Sequence, residues 1–155
     1  MLPCNEIRPP GSEPLMRKYE DSIPLKLLKA REATMSLFRP VLQSIPLTEQ
    51  QWRVIRALVE HGELESKQLA DLCCILSPSL TGIISRLEQQ DYIHRRRSPE
   101  DQRRVLISLT DKARQMFDSV SPLLEARYQE IAKQFSKKNM EQLAELLDQL
   151  CQIKP

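Results

Sequence analysis

Apolar residues recur at helical spacing from Leu25 onward, at Leu27, Leu28, Met35, Leu37, Phe38, Val41 and Leu42, and predict a first helix whose last turn is tightened or kinked by Pro40. A second helix is predicted from Thr48, whose hydroxyl can cap while Gln51 reaches back, with Trp52, Ile55, Leu58 and Val59 on one face and a stop at His61 and Gly62. A third, Ser66–Cys73, is expected to turn Leu69, Leu72 and Cys73 inward. Ser77 then reads as an N-cap with Pro78 at the first helical position. The helix that follows, about 78–90, carries Leu80, Ile83, Ile84 and Leu87 on one stripe, Gly82, Ser85 and Gln89 opposite, and Ser79, Thr81 and Arg86 on the flanks.

After that helix the period changes. Residues 92–95 and 104–109 read as extended runs, the second alternating Val105, Ile107 and Leu109 with Leu106 and Ser108. The turn formers between them make the pair a hairpin with a long basic tip. Thr110 caps a long helix with Met116, Phe117, Val120, Leu123, Leu124, Ile131 and Phe135 on its apolar side and a bend expected at Pro122. Ser136 caps a final helix carrying Met140, Leu143, Leu146, Leu147, Leu150 and Ile153. The last two stripes need a covering surface. Residues 1–24 contain five prolines and few large apolar groups, so they read as an arm without regular structure.

Composition agrees with a helical reading: 5% aromatic residues and 3 glycines in 155 residues leave little for an all-β core, and the length suits one domain with an added oligomerisation element. The expected fold class is therefore mainly α, six helices with a small β-hairpin wing. The net charge of +2 conceals six arginines between Arg86 and Arg104. No long apolar run and no basic-then-apolar leader is visible, which predicts a cytoplasmic protein without a membrane role. The cysteines Cys4, Cys73, Cys74 and Cys151 form no CxxC pair, and His61 and His94 stand at no ligand spacing from them, so neither a metal nor another cofactor is expected. Cys73 and Cys74 lie in an apolar segment and read as small buried hydrophobes, whereas Cys4 and Cys151 leave a redox-sensing reading open.

Two short helices joined tightly and followed by an arginine-tipped hairpin form a winged helix-turn-helix, a shape suited to duplex DNA. Ser77, Ser79, Thr81, Gly82 and Ser85 would let the second helix approach base edges closely, with hydroxyls to bond bases or phosphates. Arg86, Arg95, Arg96, Arg97 and Arg104 are expected to neutralise phosphates. Arg103 is expected to enter the minor groove with its guanidinium held by Asp101.

Leu69-Ala70, Ser77 to Thr81, Ile84, Leu87-Glu88, Ile93, Arg95, Asp101-Gln102-Arg103 and Leu109-Thr110 together resemble the MarR family of regulators, over roughly residues 25–150 in order. Ala113, where members often have glycine, is a departure that favours the helix. The stretches 29–42 and 47–54 resemble, within that family, repressors of aromatic-acid degradation of the hydroxyphenylacetate type. The resemblance implies an intertwined homodimer, with residues 25–47 and 110–155 as dimerisation helices and 48–109 as the DNA-binding domain. It also implies a palindromic operator with half-sites roughly 34–36 Å apart and release by a small phenolic or aromatic acid. Arg31, Phe38, Arg39 and Trp52 offer a place for such an acid, an arginine clamping the carboxylate and a ring covering the phenyl group; the alternative is that the rings are core and the arginines solvated or ion-paired. A winged helix can also serve as a protein-interaction module without touching DNA. No nucleophile–base pair, phosphate loop or paired carboxylates point to an enzyme.

Overall fold

The computed structural model describes residues 18–153. By internal contacts the chain divides into two units, the first ending at Ser36 and the second beginning at Leu37. Among the described residues there are six α-helices, α1 (Ile23–Gln43), α2 (Glu49–His61), α3 (Ser66–Cys73), α4 (Ser77–Gln89), α5 (Asp111–Phe135) and α6 (Lys137–Cys151), and three strands, β1 (Leu64–Glu65), β2 (Ile93–Arg97) and β3 (Val105–Leu109).

Most helix starts follow the local chemistry of the sequence. The Thr48 hydroxyl accepts from the Gln51 N–H at 3.2 Å while the Gln51 side chain accepts from the Thr48 N–H at 2.8 Å, a reciprocal cap of two orphan donors. Thr110 caps α5 through the Ala113 N–H at 3.1 Å, and Ser136 caps α6 through the Asn139 N–H at 3.2 Å. Gly62 ends α2 at a φ of 75°, its N–H returning to the Leu58 carbonyl, a backbone state that glycine adopts without a Cβ clash.

Four expectations are corrected. The arm is not irregular to residue 24, because Tyr19–Asp21 form a 3-10 turn and α1 starts at Ile23. Ser22 receives the Leu25 N–H at 3.4 Å, and Pro24 fits the first turn because its missing donor would be unpaired there anyway. Ser77 is not the N-cap of α4 but its first residue; extended Leu76 precedes it and Pro78 follows within the first turn. Leu72 is exposed, since the inward stripe of α3 is Leu69, Ala70 and Cys73 and Leu72 stands about 100° away around the helix. Cys74 is exposed too, held in the left-handed conformation that ends α3. Pro40 and Pro122 both lie inside continuous helices.

The hairpin is the larger part of a three-stranded antiparallel sheet, ordered β1-β3-β2. Leu64 pairs with Ile107 and Ile93 with Leu109, so these apolar side chains face one side of the sheet. They meet Ile55 and Leu58 of α2, Leu69 of α3 and Leu80, Ile84 and Leu87 of α4, all buried, to close the core. The long helix α5 packs on α2 and β3, burying Ala113, Val120 and Leu124. In contrast, α6 has no buried residue, and Leu123, Phe135, Leu143, Leu146, Leu150 and Ile153 are exposed. No single helix among the described residues is long and apolar enough to cross a membrane.

Candidate nucleic-acid interface and effector site

The chain turns by 109° between α3 and α4 across Cys74, Ile75 and Leu76, the angle and turn length of a helix-turn-helix. Ile75 is buried and its N–H bonds the Ala70 carbonyl at 3.0 Å, which locks the turn. With Leu80, Ile83, Ile84 and Leu87 buried, α4 is fixed by its apolar stripe and its other side faces outward. Ser77, Ser79, Thr81, Gly82 and Arg86 are exposed and Ser85 is half-buried. Thr81 donates its hydroxyl to the Ser77 carbonyl at 3.2 Å, which leaves an acceptor lone pair outward.

Gly82 carries the sharpest local signal. A Cβ built there meets no atom within 4 Å, so nothing inside the chain requires glycine, although alanine would favour the helix by about 1 kcal/mol. A glycine held at that cost suits a close approach by something outside.

The wing tip is built by short-range bonds. The Ser98 N–H donates to the Arg104 carbonyl at 2.9 Å, and the Arg104 N–H to the Asp101 carbonyl at 2.9 Å. Contrary to the expectation that Asp101 holds the Arg103 guanidinium, it accepts the Arg103 backbone N–H at 2.9 Å, a local Asx-type turn that the two-residue spacing favours. The effect is to fix the backbone and leave the guanidinium outward.

The arginines divide into two groups. Arg95 pairs with Glu88, Arg96 with Glu63 and Arg104 with Glu65, while Arg97 donates to the Gln102 carbonyl at 3.1 Å. Among the described residues Arg86 and Arg103 have no carboxylate partner. Hydrogen bonding from Arg95 holds the Glu88 carboxyl below the usual carboxylate range, and Arg96 does the same for Glu63. Phosphate binding by Arg95, Arg96 or Arg104 therefore requires exchange of an existing partner. These three pairings escaped the sequence reading because the glutamates lie 7, 33 and 39 residues from their arginines. The signal was Glu63 and Glu65 at strand spacing ahead of a helix start.

Phe38 and Trp52 are both buried, each in a ring contact: Phe38 meets Tyr128 at 4.8 Å between centroids, and Trp52 stacks on Phe117 at 5.3 Å. Arg56, one turn beyond Trp52, donates to the Tyr128 hydroxyl at 3.4 Å and pairs with Glu60. Arg56, Phe117 and Tyr128 were missed from sequence, because Arg56 and Tyr128 stand 72 positions apart. Arg39 is half-buried. Arg31 lies on α1 ahead of Leu37, exposed and paired with Glu32 at 2.8 Å. Of the cysteines, Cys73 is buried and burial pushes its thiol above the ordinary range, disfavouring the reactive thiolate. Cys151 is exposed, and Cys4 lies outside the described residues.

Comparison with known proteins matches the MarR family model to residues 47–105. The chain is 42% identical, over 129 residues, to the homoprotocatechuate degradative operon repressor of Escherichia coli, an alignment covering 83% of this chain and 87% of that one. It is 52% identical to a crystallised transcriptional regulator, with a TM-score of 0.82 and coverage of 86% and 98%. NadR crystallised with 4-hydroxyphenylacetate is 39% identical, with a TM-score of 0.78 and coverage of 90% of this chain and 99% of NadR.

Proposed function

This chain belongs to the MarR family, and from that premise we propose that it is a repressor that binds a palindromic operator as a homodimer and is released by a small aromatic acid of the hydroxyphenylacetate type. The observation that carries the DNA-binding half is the outward side of α4, small and polar from Ser77 to Ser85, with Gly82 facing open space. Such a surface admits the floor of a major groove, where hydroxyls contact base edges or phosphates. Arg86 contributes a charge at the far end of the same helix, and Arg103 and Arg97 at the wing tip reach the neighbouring minor groove.

Residues 48–109 form the reading head in this account, and the helices on either side pair two copies. Support for pairing comes from the row of exposed apolar residues Leu143, Leu146 and Leu150 on a helix with no buried face, continued by exposed Ile153 just past its end, a surface that a second copy would cover. The protein acts where its operator lies, in the cytoplasm.

The effector half rests on the relatives' chemistry together with two aromatic pairs formed by residues of α1, α2 and α5. Trp52, Phe117, Phe38 and Tyr128 supply apolar ring faces, and Arg56 brings a guanidinium to the Tyr128 hydroxyl. A phenolic carboxylate suits that pairing of rings and charge. α2 belongs to the reading head and α5 packs on it through α2 and β3, so an acid that shifts α5 against α2 would favour a spacing of recognition helices that no longer fits the operator.

Gly82→Ala tests the major-groove assignment, because fold and function should respond with opposite signs. Thermal unfolding should shift upward, by about 0.5–1 kcal/mol of added stability, while operator affinity measured by fluorescence anisotropy falls. An alanine variant that is more stable and binds the operator equally well would remove α4 from the groove.

A further inference from the structure

We propose that Glu63 and Glu65 are specificity-determining residues, which clamp Arg96 and Arg104 across the outer face of the sheet and hold both guanidiniums away from DNA phosphates. The inference rests on the DNA-binding reading above. It begins with the register: Glu65 and Arg96 both stand opposite Leu106 of the central strand. Side chains alternate along a strand, so Arg104, Leu106 and their neighbours Glu65 and Arg96 share the face opposite to Leu64, Ile107 and Ile93, which are buried.

Both clamps use two guanidinium nitrogens. Arg96 reaches Glu63 through Nε at 2.9 Å and through a second bond from Nη2 to the other carboxylate oxygen. Arg104 reaches Glu65 Oε1 through Nε at 2.7 Å and through Nη2 as well. The Arg96–Glu63 pair is a two-oxygen fork, while both Arg104 nitrogens converge on one Glu65 oxygen; two bonds to one carboxylate hold geometry better than a single contact between exposed charges. Glu65 is also the residue that precedes α3, and its N–H is bonded by the Gln68 side chain at 2.9 Å. The wing is thereby tied to the start of the helix-turn-helix.

The consequence is electrostatic. Phosphate contacts add affinity for any duplex and carry no sequence information. Two unpartnered guanidiniums on the outer sheet face would raise binding to every sequence alike. A carboxylate is ordinarily ionised at neutral pH, and Arg96 holds that of Glu63 further below the usual range, so this clamp carries both charges there. Net charge on this face is then small, and discrimination is left to α4 and to Arg103.

The test is a Glu63→Gln/Glu65→Gln double variant, which keeps shape and removes both negative charges. Wild type and variant are titrated by fluorescence anisotropy against the upstream duplex and a scrambled duplex of equal length, over a series of salt concentrations. The variant should bind the scrambled duplex on the order of tenfold more tightly at low salt, and its plot of log affinity against log salt should steepen by about 0.9 for each arginine released. The ratio of upstream to scrambled affinity should fall. An unchanged slope and ratio would overturn the clamp, as would weaker binding to both duplexes with a flatter slope. Glu63→Gln alone, which alters no helix start, should show half of the steepening and covers the case in which the double variant unfolds. Should wild type bind neither duplex, the DNA-binding reading itself fails, an outcome separate from any behaviour of the variant.

Discussion

Leu87→Ala should unfold the reading head before any other single truncation in α4 of comparable size. Leu87 is completely buried, and its carbonyl also accepts the Tyr92 N–H at 2.9 Å, where the chain leaves α4 for the wing. Truncation removes three carbons from a site that helix and sheet cannot both collapse into, at about 2–5 kcal/mol. For a chain of this length the midpoint of thermal unfolding, followed by circular dichroism, should drop by on the order of 10 °C. A variant melting within a degree or two of wild type would mean that α4 is not anchored by this stripe.

Arg103→Ala should do the reverse: leave the fold intact and weaken operator binding. Its side chain is exposed, and the bond it makes within the tip runs from its backbone N–H to Asp101, which alanine preserves. The loss expected for a groove contact is about 1–3 kcal/mol, or roughly five- to 150-fold in Kd, with an unchanged melting curve. The same variant separates DNA readout from a protein-interaction role for the wing, since a module that never meets DNA would keep its activity.

These two residues also illustrate what sequence alone makes legible. Leu87 stands out because helix periodicity and close packing are local: Leu80, Ile83, Ile84 and Leu87 fall on one stripe whatever surrounds them. The caps at Thr48, Thr110 and Ser136 are legible for the same reason, each bond spanning three residues. β1 is not, being two residues long with no period to detect. The outward turn of Leu72 depends on where a helix of eight residues meets its neighbours rather than on its own hydrophobicity. At the interface, sequence showed where the arginines are but not which are engaged, because the partners Glu63 and Glu65 come from the far side of the helix-turn-helix in chain order. Asp101 and Arg103 were correctly placed together, yet the short spacing favours the backbone N–H over the guanidinium. The aromatic rings were half legible: Phe38 and Trp52 stood out, while Phe117 read as one more apolar position on a long helix and nothing singled out Tyr128.

The central claim is that the small polar side of α4 and the wing behind it read duplex sequence, and that an aromatic acid undoes the reading. The most direct measurement is the affinity of the unmodified protein for the duplex upstream of its own gene, against a scrambled duplex, with and without 4-hydroxyphenylacetate. The account predicts preference for the upstream duplex by at least about a thousandfold at physiological salt, lost in large part at saturating acid. Equal affinity for the two duplexes would contradict it at the first step, and full operator binding in the presence of the acid would contradict it at the second.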